Sequence, residues 1–248
     1  MAIRKNSKGF TLIELAIVLV IIGIIIGAIM KGRDIIRDAQ VKEYANAFAG
    51  KWVTMLDTYY SKTGQNLVDG TLNGGDAGGG DGFMDLRYYD STRAGANRAT
   101  TLAALRRAGV EPCNVVKSNL FNADPAVVCT DGKNVFQTKV DGELVSRQTT
   151  TVGLTNASIV VSGITQRKNI LVISRVPLDV AVGIDKIYDG TDSGDGGSVI
   201  NLGCVAAPTD GSEDTAVPST ATAPAPWNFT VPGTPSATVC TVGIVLEH

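Results

Sequence analysis

Residues 12–30 read LIELAIVLVIIGIIIGAIM, nineteen positions that are apolar or glycine throughout except at Glu14. At about 1.5 Å rise per residue, a helix of that length spans roughly 28 Å, close to the thickness of a bilayer core. The stretch predicts a membrane-spanning helix. Arg4, Lys5 and Lys8 stand before it, which by the positive-inside rule puts the N-terminus in the cytoplasm and the rest of the chain outside; Lys31 and Arg33 on the far flank weaken that asymmetry. An ordinary secretory signal peptide would close on a small-x-small cleavage site, whereas this run passes directly into Lys31-Gly32-Arg33-Asp34. Beyond it Ile36, Tyr44, Phe48, Trp52, Met55 and Tyr59 recur at three, four or eight residues, the stripe of an amphipathic helix. The two parts therefore read as one helix from about Thr11 to about Lys62, near 80 Å long at about 1.5 Å per residue, with Thr63-Gly64 as its stop.

The remainder changes texture. With 248 residues, the chain has room for one globular head beyond that helix, placed at 64–248. Asp69-Gly70 through Gly82 is too rich in glycine and aspartate for a regular element and reads as a loop. Leu102 to Ala108 reads as a short helix ended by Gly109, with Pro112 beyond. Val/Ile/Thr-rich runs at Val135–Val140, Ser158–Val161, Ile170–Val176 and Thr238–Val245 predict strands, and Asp141-Gly142 predicts a hairpin turn before Glu143-Leu144-Val145. The fold class expected is α+β: a long N-terminal helix, its transmembrane half at 10–31 and its amphipathic half at 32–63, packed against a small antiparallel sheet.

Four cysteines, Cys113, Cys129, Cys204 and Cys240, lack the C-x-x-C spacing of metal or redox sites. Two disulfides formed in an oxidising compartment fit better; of the three possible pairings, Cys113 with Cys129 and Cys204 with Cys240 closes the shortest loops. The segment between Cys204 and Cys240 is dense in Pro, Thr, Ser and Ala and lacks the means to build its own core. It is read as a solvated loop or a contact surface.

Glu14 decides the functional reading, because a carboxylate inside a hydrocarbon segment costs a few kcal/mol unless it is paired or near the interface. The octapeptide Lys8-Gly9-Phe10-Thr11-Leu12-Ile13-Glu14-Leu15 resembles the cleavage and methylation signature of type IV prepilins and of type II secretion pseudopilins. That resemblance covers residues 1 to about 62 and implies a leader, 1–9, removed between Gly9 and Phe10 by a membrane prepilin peptidase. The same enzyme would then N-methylate the Phe10 amine. Removing the three leader cations takes the formal charge from −2 to −5. It also implies that Glu14 pairs with the Phe10 amine of a neighbouring subunit, in a homopolymer or a mixed filament built by an assembly ATPase and platform protein. The protein would be stored in the inner membrane, head in the periplasm, before joining a periplasmic or surface filament. The chain departs from many major pilins in having no proline before Pro112, which leaves open a pseudopilin or minor subunit; if the helix melts locally in a filament, the place expected is Gly23 to Gly27. The alternatives are a type II secretion pseudopilin and a monomeric tethered receptor or adhesin.

Asp185, Asp189, Asp192 and Asp195 lie among glycines, and oxygen ligands on a turning chain are what calcium selects; the resemblance points the same way, since certain pseudopilins bind calcium in this region. Asp76, Asp81 and Asp85 form a weaker second set, and in both the plain reading is a turn. No cofactor is required. With His248 as the sole histidine, no phosphate-binding G-x-x-x-x-G-K-[ST] loop and no zinc spacing, no enzyme class is supported. Arg93, Arg98, Arg106 and Arg107 read as a solvated face, and a mildly acidic head lacks the clustered basic footprint of a nucleic-acid binder.

Overall fold

Helix dominates the N-terminal quarter of the computed structural model, which describes residues 11–77, 79–85, 87–88, 98–116, 133–140, 143–161, 164–206, 224–227 and 238–248. Helix α1 runs Leu12–Glu43, a π-helical turn follows at Tyr44–Ala49, and α2 runs Gly50–Thr63. Gly64 ends it in the left-handed conformation at φ 68°, its N–H donating to the Tyr60 carbonyl at 2.7 Å, as the Thr63-Gly64 signal predicts. The chain divides into two compact units, Met1–Gln40 and Val41–His248.

In the first unit, every described residue as far as Lys31 is exposed. Among the described residues, Leu12–Thr63 is the one helical stretch long and apolar enough to cross a membrane, with a mean hydropathy of 3.1 over its most apolar 18-residue window. Ile36, placed by its spacing in the buried stripe, is 60% exposed. The buried stripe of the second unit begins instead at Val41, three residues before Tyr44.

In the second unit, Tyr44, Phe48, Trp52, Met55, Leu56 and Tyr59 are buried against an antiparallel sheet. Its strands are β1 (Arg87–Tyr88), β2 (Lys133–Val140), β3 (Glu143–Val161), β4 (Ile164–Pro177), β5 (Val199–Ala206) and β6 (Thr238–Leu246), in the order β1-β3-β4-β6-β5 with β2 also on β3. Strand alternation sends Leu154, Leu171, Ile173, Val242 and Ile244 into the helical core, while Ile159, Ile170, Val172, Ile200 and Leu202 form a second buried cluster. Burial of both sets explains why β4 reads as the continuous apolar run Ile170-Leu171-Val172-Ile173 rather than as an alternation. β2 and β3 pair with Val140 opposite Glu143; the predicted turn residues Asp141 and Gly142 lie outside the described residues. The expected α+β architecture, helix on antiparallel sheet, is the one observed.

Helix α3 (Arg98–Arg107) and the short α4 (Pro112–Val115) follow the glycine-rich loop, and Gly109 comes just after α3 with φ 70°. Helix α5 (Leu178–Tyr188) was not expected from its sequence. It lies on the π-helical turn because two glycines let the backbones approach. A Cβ on Gly183 would clash with the Val41 side chain, and one on Gly50 would stand 2.9 Å from the Tyr188 hydroxyl. That hydroxyl reaches the Ala45 carbonyl at 3.4 Å, the same carbonyl that accepts the Gly50 N–H across the π turn.

Candidate functional site

The N-terminal end of α1 is built by a reciprocal cap. Thr11 precedes the first helical residue, and Glu14 is the third within it, the spacing of a capping box. Glu14 Oε2 accepts the Thr11 backbone N–H at 2.8 Å and the Thr11 hydroxyl at 2.8 Å, while the Glu14 N–H donates to Thr11 Oγ1 at 3.4 Å. Two otherwise unpaired helix-start donors are thereby satisfied, and the carboxylate is held at the opening of the apolar run instead of trailing along it. All three bonds leave Glu14 Oε1 untouched. Thr11 is the participant that sequence reasoning passed over, although Thr11-x-x-Glu14 ahead of an apolar run carries the signal. Gly9 and Phe10, the predicted processing pair, lie outside the described residues.

A family model described as the prokaryotic N-terminal methylation motif matches residues 4–30, spanning the basic segment, the cap and the apolar run. The N-terminus is of the prepilin type. That leader signature is shared by type IV pilins and pseudopilins, and with the long apolar helix it fits a membrane-anchored pilin-like chain. No curated protein and no solved structure matches the chain.

The chain also carries the expected C-terminal disulfide. Cys204 and Cys240 stand directly opposite in the β5–β6 register and are bonded, closing a separation of 36 residues. Cys113 is disulfide-bonded as well; its predicted partner Cys129 lies outside the described residues. Within the segment closed by Cys204 and Cys240, Trp227 is buried and donates its backbone N–H to the Ser193 carbonyl at 3.2 Å.

The four candidate calcium ligands are placed differently from their sequence reading. Asp185 is inside the last turn of α5, not in a loop, and Asp189 follows one helical turn later. Asp185 is fully buried, and its Oδ2 accepts the Trp227 indole N–H at 2.7 Å and the Gly194 N–H at 3.0 Å. The two Asp189 oxygens accept the N–H groups of Ser198 at 3.0 Å and Val199 at 2.8 Å. Asp192 and Asp195 are exposed, and among the described residues no three Asp, Glu, His or Cys side chains gather as a metal would require. Calcium takes six to eight oxygens, and apart from Asp185 Oδ1 this pair's acceptors already serve the protein's own donors, so the set does not fit that ion. The second acidic set is similarly engaged. Asp85 Oδ2 accepts from the Asp76 and Gly70 N–H groups, and Asp81 bonds the Phe83 N–H and pairs with Arg167 at 3.1 Å. Asp69, which the sequence reading did not single out, is buried and takes the N–H groups of Gly80 and Gly82.

Burial pushes the Asp185 carboxyl above the usual carboxylate range; the Trp227 and Gly194 bonds pull it down without cancelling that, and neighbouring Asp189 raises it further. A folded-state pKa above the unfolded value means that this group's contribution to stability is complete below about pH 4 and is lost as pH rises through the raised value. Asp185→Asn keeps an oxygen for both donors and replaces the charge by an amide beside the Asp189 carboxylate that disfavours that charge. At pH 7 the variant is expected to be at least as stable as the parent, with a flatter stability profile between pH 4 and 7. Denaturant melts across that range check it, and a variant markedly less stable at pH 7 refutes the assignment.

Proposed function

We propose that this chain is a structural subunit of a type IV pilus or pilus-like filament. It is made as a membrane-anchored precursor, cut between Gly9 and Phe10, N-methylated at Phe10, and polymerised through its N-terminal helix. One observation carries the reading: the methylation-motif match over residues 4–30 is continuous with a helix exposed from Thr11 through Lys31. A helix apolar on all sides needs lipid or other apolar helices around it, and a filament core supplies the second when the subunit leaves the first. Glu14, held at the head of that helix by Thr11, is the group that would meet the amine of a neighbouring subunit.

The test is the mature N-terminus. Mass spectrometry of protein from cells carrying a prepilin peptidase is expected to find N-methylated Phe10 as the first residue, and Gly9→Val is expected to accumulate uncut precursor. An intact Met1 in those cells, or a terminus beyond Met30, would overturn the proposal.

A further inference from the structure

The end of α2, the 3-10 turn at Thr71–Asn73 and the last turn of α3 enclose an open groove of about 470 Å³. Its floor is fixed: the Tyr59 hydroxyl donates to Asn73 Oδ1 at 2.7 Å, and Asn73 Nδ2 donates to Gln65 Oε1 at 2.9 Å and to the Asp69 carbonyl at 2.8 Å. Two cations line it, Lys62 and Arg107, and no carboxylate does. Each cation is steadied by a single backbone carbonyl. Lys62 Nζ donates to the Gly109 carbonyl at 3.1 Å and Arg107 Nη1 to the Leu72 carbonyl at 2.9 Å, leaving an ammonium and a guanidinium with further donors. Neither forms an ion pair with a described carboxylate, in contrast to Arg106 with Glu111 and Arg167 with Asp81. The Arg107 charge reaches the groove floor: burial raises the pKa of the Tyr59 hydroxyl, and Arg107 draws it back down. Leu72, 72% exposed, adds an apolar wall beside this uncompensated positive charge in a chain that is acidic overall.

We infer that this groove binds a small organic oxyanion, its carboxylate or phosphate held between Lys62 and Arg107 and its body against Leu72. The volume is that of a small-molecule site and exceeds the needs of a bare inorganic anion. Guanidinium and ammonium together recognise an oxyanion through charge-assisted hydrogen bonds, the guanidinium in fork geometry. The inference is independent of the filament reading, because every group in it belongs to the second unit, Val41–His248, beyond the apolar stretch.

The experiment uses the full chain in a neutral detergent at constant ionic strength. Glucuronate, glucose 6-phosphate and inorganic phosphate are titrated by calorimetry, with melting temperature followed in parallel and chloride as the reference. Saturable binding of glucuronate or of glucose 6-phosphate, tighter than that of phosphate, is expected, and the preferred one identifies the oxyanion. Lys62→Gln with Arg107→Gln is expected to weaken it by about tenfold or more. Arg107→Lys, which keeps the charge and loses the fork, covers the case in which the double variant does not fold, and is expected to bind more weakly than the parent. Melting temperatures no different from those in chloride, phosphate binding as tightly as both organic anions, or affinity unchanged in Arg107→Lys and in a folded double variant, would each overturn the inference.

Discussion

Glu14→Leu is expected to be inserted and cleaved like the parent chain, yet to yield about tenfold fewer sheared filaments, or none. Insertion should survive because the substitution only lengthens the apolar run, and the loss of the Thr11 cap costs the helix start about 1 kcal/mol. Assembly is a different matter in the filament reading. A carboxylate meeting an ammonium in a low-dielectric core gains far more than in water, and removing one partner leaves the other buried and alone. Membrane-extracted and sheared fractions measure the two steps separately. Thr11→Val provides the comparison: it removes the hydroxyl that both accepts from and donates to Glu14 while keeping its charge, so a smaller loss is expected. Glu14→Asp, charged but shorter, should fall between. Normal filament yield from Glu14→Leu would refute the pairing mechanism.

The second large effect is expected at the cross-strand disulfide. Replacing Cys204 and Cys240 together by alanine frees a 36-residue separation in the unfolded chain and should lower stability by about 2–4 kcal/mol. For a chain of this size that corresponds to a melting temperature lower by roughly 5–15 °C. β5 is joined on one side to β6 and on no other described strand, so its outer edge should open first. Hydrogen exchange on Val199–Ala206 would show faster exchange there than in β4, which is flanked on both sides. Unchanged melting would mean that the hydrogen bonds of the β5–β6 ladder suffice.

The elements legible in the sequence were those whose pattern and packing agree. The helix through Tyr44, Phe48, Trp52, Met55 and Tyr59 follows its periodicity, and β4 and β6 follow their runs of Val and Ile. Helix α5 was hidden because Val180, Val182 and Gly183 are weak helix formers, and it persists through tertiary contact of Val180, Ala181 and Ile184 with the core. Reading Asp185 as a loop residue followed from missing that helix. β5 was obscured by the glycines before it and by Gly203 within it, where the pairing register shifts. β3 was seen only at its two ends, because Thr149 to Asn156 is rich in polar residues that are nonetheless largely buried, among them Thr150, which accepts the Tyr44 hydroxyl at 2.7 Å. Of the N-terminal site, Glu14 was conspicuous as a charge among aliphatics; Thr11 was not, because its contribution lies in geometry rather than in composition.

The glycine-rich loop has a consequence for how the protein ages. Asp-Gly pairs are among the sites where a protein backbone rearranges, the amide nitrogen of the glycine attacking the aspartate side chain before it to close a succinimide ring. In Asp69-Gly70 and Asp81-Gly82 that nitrogen is already committed to a different aspartate: the Gly70 N–H donates to Asp85 Oδ2 at 3.4 Å and the Gly82 N–H to Asp69 Oδ2 at 3.1 Å. The side chains under threat are committed too, Asp69 to the Gly80 and Gly82 amides and Asp81 to Arg167 and the Phe83 amide. The same bonds that shape the loop engage each nucleophile with an aspartate other than its own target, so these two pairs are expected to rearrange more slowly in the folded head than in the unfolded chain.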